Sequence, residues 1–225
     1  MMKKSTLLLN ALTKYFVGRI AIGLLLFLPA GSLYFVNGWI FIGLLFVPML
    51  IAGFILMAKN PELLAKRLNA KEEQSEQKGV VAVSGVMFLS GFIVAGLNYR
   101  FSWHTLPKWI VIVSSVIFLL SYAMYGEVLR ENTYLSRTVE VQENQKVIDT
   151  GLYGIIRHPM YTATILLFLS IPLILNSLYA FLIFLIYPFI IIVRLKNEEK
   201  LLEKELNGYT EYKQKVKYKL IPFIW

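Results

Sequence analysis

The apolar residues of this chain are grouped into long blocks, and this grouping limits the folds that are open to it. Hydrophobic residues fill 57% of the 225 positions. Several blocks approach the length of about 20 residues that a helix needs to cross a membrane. Because hydrocarbon offers no water to satisfy backbone polar groups, such blocks are expected to span the bilayer as helices. The sequence therefore predicts an all-α integral membrane protein with five or six transmembrane helices.

Four of the blocks lie in the region 1–126, which we interpret as a scaffold that also gives lipid substrates access to the site. They cover residues 15–36, 39–58, 79–97 and 109–126. A cleaved signal peptide is the alternative for the first block. The length of its apolar run, the interruptions at Lys14 and Arg19, and the next block directly after it argue against that alternative.

Two connections in this region have their own predictions. Asn37-Gly38 is typical of a tight turn and is expected to join the first two blocks. The charged stretch 59–78 is interpreted as a solvated loop. The alternative is a short surface helix that begins at Asn60-Pro61.

The region 127–225 is predicted to be the catalytic unit. A polar segment, 127–157, leads into an apolar run, 159–193, that is too long for one helix and is divided at Asn176-Ser177. This division predicts a membrane hairpin. A charged helix is expected to follow from Arg194 and to end near Asn207-Gly208, since Asn and Gly commonly stop helices.

Composition and charge narrow the function. The chain has no cysteine and only two histidines, His104 and His158, which lie far apart, so neither a metal centre nor a cysteine nucleophile is expected. The net charge of +9 is better explained by orientation in a membrane than by nucleic acid binding. With six spans, all of the 23 Lys and Arg except Arg100 and Lys108 fall on one side. The positive-inside rule then predicts that both termini and the active site are cytoplasmic.

The motif Arg157-His158-Pro159-Met160-Tyr161 lies where the polar segment meets the hairpin. Proline is well tolerated in the first turn of a helix, so Pro159 is predicted to begin a helix with His158 as its N-cap. The free N–H groups of that turn, with Arg157 and His158 beside them, are expected to suit an anion. The alternative is that Arg and His only mark the membrane interface.

A second cluster, Arg194, Glu198 and Glu199, directly follows the hairpin. Arg194 and Glu198 are one helical turn apart and share a face, whereas Glu199 is rotated by about 100°. Because both ends of a hairpin emerge together, donors that favour an anion should meet carboxylates that favour a cation. A zwitterionic ligand such as S-adenosylmethionine fits this mixture. The alternative is a solvated run of charges.

Spaced motifs in the last part of the chain resemble the C-terminal signature of the isoprenylcysteine carboxyl methyltransferase family. They are Val141-Gln142, Gly151-Leu152-Tyr153, the Arg157 to Tyr161 motif, Arg194 with Glu198-Glu199, and Gly208-Tyr209 with Tyr212. The resemblance implies an integral membrane methyltransferase that uses S-adenosylmethionine and a lipophilic acceptor within the bilayer, most directly an isoprenylcysteine carboxylate.

The resemblance also implies roles for individual residues. Arg194 would hold the acceptor. The cofactor contacts would be Gln142, Tyr153, His158, Pro159, Met160, Tyr161 and Glu198, to which the motif itself adds Arg157. The link between Gln142 and Gly151 is shorter than in eukaryotic members, so further contacts fall only loosely on Gln145, Lys146, Val147 and Ile148.

Three alternatives stay open. Phospholipid N-methyltransferases share a glutamate pair after a membrane hairpin, and with their amine acceptor Glu198 or Glu199 would have to act as the base. A reductase related to the sterol reductases would bind a nicotinamide cofactor, although the chain lacks the Gly-rich fingerprint. A membrane scaffold would explain the helices but not the clustering of polar residues at both ends of one hairpin.

Overall fold

A computed structural model describes residues 4–69, 75–135 and 140–225, without the side chains of residues 75 and 76. The regular structure of the described residues is entirely helical, as predicted. The helices are α1 (Lys4–Ala30), α2 (Val36–Lys59), α3 (Pro61–Leu68), α4 (Ser75–Phe101), α5 (Lys108–Glu131), α6 (Pro159–Ile174), α7 (Leu178–Phe184), α8 (Tyr187–Glu205) and α9 (Tyr209–Lys215), with a 3-10 turn at Gly151–Gly154.

Within the described ranges, five helical stretches are long and apolar enough to cross a membrane. They are α1, α2, α4, α5 and the stretch Leu178–Glu205, which joins α7 to α8. Helix α6 is apolar but only 16 residues long. The prediction of an all-α membrane protein is confirmed. The number of spans is five without α6 and six if α6 is counted as a span.

The helices pack through a core of large aromatic residues. Phe41, Phe92, Phe118 and Phe184 are all buried in it. Helix α6 packs mainly on α5, and α4 packs on α1, α7 and α8. Gly91 of α4 lies directly against the ring of Phe184, where a Cβ atom would collide with that ring. Close approach of helices at small residues is expected in lipid.

The prediction of a turn at Asn37-Gly38 is wrong. Helix α1 ends at Ala30, the chain turns at Gly31 with φ of +64°, and α2 already begins at Val36. Gly38 serves packing, because a Cβ atom there would lie 3.0 Å from the ring of Phe35. The amide of Asn37 donates to the carbonyl oxygen of Ile174 at 2.7 Å, which ties α2 to the end of α6.

The interpretation of the stretch 59–78 as a loop is also wrong for residues 61–68, which form helix α3. The side chain of Asn60 caps this helix by accepting a hydrogen bond from the N–H of Leu63 at 3.0 Å. Leu63 and Leu64 are buried, so an apolar face fixes the helix to the bundle. Residues 70–74 of the same stretch lie outside the described residues.

The predicted hairpin is confirmed at Asn176-Ser177. Asn176 has φ of +59°, and the Ser177 hydroxyl accepts a hydrogen bond from the N–H of Ala180 at the start of α7. The second arm is interrupted between α7 and α8, because Pro188 has no N–H to continue the helical bonding. Helix α8 then runs without interruption from the apolar arm into the charged segment and ends at Glu205, near the predicted position.

Candidate active site

An open recess lies at the end of the bundle where α5 ends, α6 begins and the charged half of α8 projects. Most of the residues predicted for the site line it. They are Gln145, Lys146, Val147, Ile148, Tyr153, Arg157, His158, Met160, Tyr161, Arg194 and Glu198. The hairpin thus brings its two ends together, as the sequence predicted. Three predicted residues, Gln142, Pro159 and Glu199, are not part of this lining.

The sequence reasoning missed the other residues of the lining, which are Asn132, Tyr134, Leu135, Glu140, Leu202, Leu206, Tyr209 and Tyr212. Leu202 follows Glu198 by four residues on α8 and so shares its face, and Leu206, four residues further on, caps the end of that helix. That spacing could have been used to predict both leucines as part of the lining. Tyr209 and Tyr212 belong to the quoted signature, which gave them no role. No local sequence pattern points to Asn132, which donates to the Tyr153 hydroxyl at 3.0 Å.

Arg194 and Glu198 share one face of α8, as predicted, and both contact Tyr161 on α6. The Nε of Arg194 donates to the Tyr161 hydroxyl oxygen at 3.1 Å. The Tyr161 hydroxyl in turn donates to Oε2 of Glu198. One phenol therefore connects the two ends of the hairpin inside the recess.

Glu199, rotated from Glu198 as expected, lies behind the recess wall in a buried ion cluster. Its Oε1 atom accepts from the Arg157 Nε at 2.8 Å and lies 3.2 Å from Nε2 of His158. Its Oε2 atom lies 2.8 Å from the Lys219 ammonium. Glu199 is only 5% exposed, so the structure gives it ionic partners in the protein and no place in the lining. We call these four residues the Glu199 cluster.

The C-terminal tail segment, residues 216–220, runs along the start of α6. The backbone N–H groups of Arg157 and His158 donate to the carbonyl oxygens of Tyr218 and Lys219, at 2.9 and 3.0 Å. The Arg157 guanidinium also donates to the carbonyl oxygens of Val216 and Lys217, at 2.8 and 2.9 Å. The tail therefore holds the motif that the recess is built on.

These contacts correct one expectation about the first turn of α6. Pro159 begins the helix, and His158 precedes it as the N-cap, as predicted. However, the N–H groups of Tyr161 and Thr162 donate to the carbonyl oxygen of His158, and Pro159 has no N–H group. The row of free N–H donors predicted for this turn is therefore not present. Any attraction for an anion has to come mainly from side chains.

Gln142 organises the loop beside the recess. Its Oε1 atom accepts from the Lys66 ammonium of α3 at 2.5 Å. Its Nε2 atom donates to the carbonyl oxygen of Tyr134, which lines the recess, at 2.5 Å. The resemblance implied a direct cofactor contact for Gln142. In the structure its amide links the loop to α3.

The recess offers groups that fit S-adenosylmethionine. The hydroxyl of Tyr209 is buried and has no hydrogen-bond partner among the described residues, although Tyr209 lines the recess. Burial raises the pKa of Tyr209 well above its usual value, so this hydroxyl stays protonated and can donate. Arg157 supplies positive charge and Glu198 negative charge to the same space. A ligand with hydroxyl, carboxylate and ammonium groups matches this set of donors and acceptors.

A family model described as phospholipid methyltransferase matches residues 104–207. No curated protein matches the chain in a sequence search. The matched region contains α5, the membrane hairpin and α8 with Arg194 and Glu198, and it ends before α9 and the tail segment. The match confirms the predicted relation to the phospholipid N-methyltransferases and supports the identification of this chain as a membrane methyltransferase.

Proposed function

We propose that this protein transfers a methyl group from S-adenosylmethionine to a lipophilic acceptor that reaches the recess from the bilayer. One observation carries the proposal. A single recess, at the open end of the membrane hairpin and largely within the region that matches the methyltransferase family, combines the carboxylate of Glu198 with the cationic side chain of Arg157. A solvated run of charges would not line a shared recess with buried aromatic residues.

In this proposal each charged part of the recess binds one part of the cofactor. Glu198 accepts hydrogen bonds from the cofactor's ammonium or ribose hydroxyls, and Arg157 and His158 favour its carboxylate. The buried hydroxyl of Tyr209 donates to an acceptor atom of the ligand. Val147 and Ile148 supply apolar contacts along the same wall.

The cofactor supplies a methyl group on a sulfonium, which is already reactive toward a nucleophile. The contribution of the protein is then to hold the acceptor in line with that methyl group and to keep water away. Tyr161 supports this role by fixing Arg194 and Glu198 through one hydroxyl. A recess at the end of a hairpin also lies where a lipid can enter sideways from the membrane.

The first candidate acceptor is the carboxylate of an isoprenylcysteine or a similar group on a lipid. Such a carboxylate is ionised at neutral pH and needs no base. Arg194 lines the recess, and a guanidinium is suited to orient a carboxylate through two parallel hydrogen bonds. The resemblance of the motifs to isoprenylcysteine carboxyl methyltransferases supports this acceptor.

The second candidate acceptor is the amine of a phospholipid, and the family match to phospholipid methyltransferases favours it. An ammonium must lose a proton before it can attack the methyl group, so this reaction needs a base. Of the two adjacent glutamates, Glu198 lines the recess, whereas Glu199 is surrounded by Arg157, His158 and Lys219. Glu198 is therefore the candidate base.

Two measurements on detergent-purified protein test the proposal. Calorimetry should show that the protein binds S-adenosylmethionine and does not bind NADPH. The opposite result would favour the alternative that the protein is a reductase. Transfer of labelled methyl groups should then be measured to a farnesyl-cysteine analogue and, separately, to phosphatidylethanolamine in vesicles. Transfer to neither acceptor, with the cofactor bound, would contradict both candidate acceptors.

A further inference from the structure

The charges around the recess are unequal, and the inequality depends on one residue of the tail segment. Among the described residues, the charged side chains of the lining are Glu140, Lys146, Arg157, Arg194 and Glu198. Glu199 and Lys219 stand behind Arg157 and His158. With His158 counted as neutral, these groups comprise four cations and three carboxylates.

The excess of positive charge lies at the Glu199 cluster. There a single carboxylate faces two permanent cations, Arg157 and Lys219, with His158 beside them. Glu198 is turned toward Tyr161, whose hydroxyl oxygen also accepts a hydrogen bond from Arg194. Arg194 and Glu198 thus balance each other at Tyr161, whereas the Glu199 cluster has one excess positive charge, which it would lose without Lys219.

Lys219 is held in a defined position. Its carbonyl oxygen accepts from the N–H of His158 at 3.0 Å, and its ammonium lies 5.5 Å from the centre of the Trp225 ring. Its side chain is 24% exposed, so its charge is only partly screened by water. A partly buried cation acts on charged groups over several ångströms more strongly than a cation in bulk water.

We propose that the tail segment is part of the ligand-binding site, and that Lys219 makes the Glu199 cluster positive so that the recess selects ligands that carry a carboxylate. The proposal rests on the proposed function, in which that ligand is S-adenosylmethionine. Lys219 is a positioning and charge-setting residue, because Glu199 separates it from the recess lining. It also lies beyond the region that matches the family model, which ends at residue 207.

The test compares two ligands that differ only in the carboxylate, S-adenosylmethionine and decarboxylated S-adenosylmethionine. Wild type should prefer the form with the carboxylate. In Lys219→Gln that preference should fall roughly three- to tenfold, through weaker binding of S-adenosylmethionine and unchanged or stronger binding of the decarboxylated form. Lys219→Arg should keep the preference. Lys204→Gln, at an exposed position of α8 outside the recess lining, makes the same change in net charge and should leave both affinities unaltered.

Each other outcome has a definite meaning. If Lys219→Gln lost affinity for both ligands equally, the inference would be overturned, because a purely structural role for the tail predicts that result. A wild-type protein that binds the two ligands equally well would overturn it too. If wild type binds neither ligand, the proposed function itself fails. Binding of decarboxylated S-adenosylmethionine by Lys219→Gln at wild-type strength also shows that the variant is folded.

Discussion

Arg194 and Tyr161 are joined by a hydrogen bond of 3.1 Å between the guanidinium Nε and the phenolic oxygen. Arg194 comes from the far end of the hairpin and Tyr161 from its beginning, so this bond closes the recess across two helices. The Tyr161 hydroxyl also donates to Glu198. The acceptor side and the cofactor side of the proposed site are therefore fixed by the same hydroxyl, and substitutions at these positions should separate their roles.

The first prediction concerns Glu198→Gln, which should weaken S-adenosylmethionine binding while the protein stays folded. The change keeps the size of the side chain but removes its charge. Since charge-assisted hydrogen bonds contribute about 1.5–3 kcal/mol, we expect a loss of roughly ten- to hundredfold in affinity by calorimetry. Glu205→Gln, at an exposed position on the same helix, is the control. An unchanged affinity of Glu198→Gln for S-adenosylmethionine would indicate that Glu198 belongs to a solvated run of charges.

The second prediction separates the acceptors through Arg194→Lys. With a carboxylate acceptor, lysine cannot reproduce two parallel hydrogen bonds, so methyl transfer to a farnesyl-cysteine analogue should fall strongly while the cofactor still binds. With an amine acceptor, the same variant should keep most of its transfer to phosphatidylethanolamine. Robust carboxyl methylation by the lysine variant would exclude the proposed grip of Arg194 on the acceptor.

The third prediction contrasts two tyrosines of the recess. Tyr209→Phe removes a buried hydroxyl that has no partner among the described residues. It should weaken S-adenosylmethionine binding by about three- to tenfold without lowering the melting temperature. Tyr212→Phe removes a hydroxyl that donates to the carbonyl oxygen of Tyr153 at 2.8 Å. That variant should lose about 1–3 kcal/mol of stability, because it leaves a buried carbonyl group unpaired. Similar behaviour of the two variants would argue against a ligand contact for Tyr209.

The fourth prediction is that Glu199→Gln acts mainly on stability. The variant leaves Arg157 and Lys219 without their shared counter-charge, and removal of one partner from a buried ion pair costs about 3–5 kcal/mol. Glu203→Gln breaks a pair with Lys213 whose side chains are 41% and 33% exposed, so its cost should be about 1 kcal/mol or less. The check is thermal unfolding in detergent. A Glu199→Gln protein with wild-type stability but no activity would support a catalytic role for Glu199.

The fifth prediction is the orientation, which rests on the charge asymmetry of the loops. The chain has no cysteine, so single cysteines can be introduced without a background signal. Cysteines at Lys14 and Lys213 should react with an impermeant reagent from the cytoplasmic side, and a cysteine at His104 should react from the other side. Labelling of positions 14 and 213 from opposite sides would contradict the predicted topology.

Features with a local pattern could be predicted from the sequence. The hairpin at Asn176-Ser177, the start of α6 at Pro159 and the shared face of Arg194 and Glu198 all follow from turn residues or helical spacing. Helix α3 could not be distinguished from a loop by its short charged sequence. Its stability depends on the burial of Leu63 and Leu64 against the bundle, which the sequence alone does not show. The prediction of a turn at Asn37-Gly38 was wrong, because a glycine can allow close packing as well as a turn.

Contacts between distant residues could not be predicted in this way. Nothing in the sequence around Lys219 or Val216 shows that they meet Glu199 and Arg157, since such contacts have no period and no fixed spacing. The sequence therefore did not predict the Glu199 cluster, and it left Glu199 beside Glu198 as a candidate base. The structure shows that adjacent positions on α8 face different surroundings, one open to the recess and one closed by the tail.

The tail segment also affects when the protein becomes competent during its synthesis. Val216, whose carbonyl oxygen binds the Arg157 guanidinium, lies 59 residues after Arg157. The hairpin can therefore be made and inserted into the membrane while the wall of the recess is still unfinished. Because chains are synthesised and fold from the N-terminus onward, insertion of the hairpin and completion of the recess wall are separate events. We therefore expect a chain that stops before residue 216 to insert its hairpin into the membrane and still lack the carbonyl groups that hold Arg157.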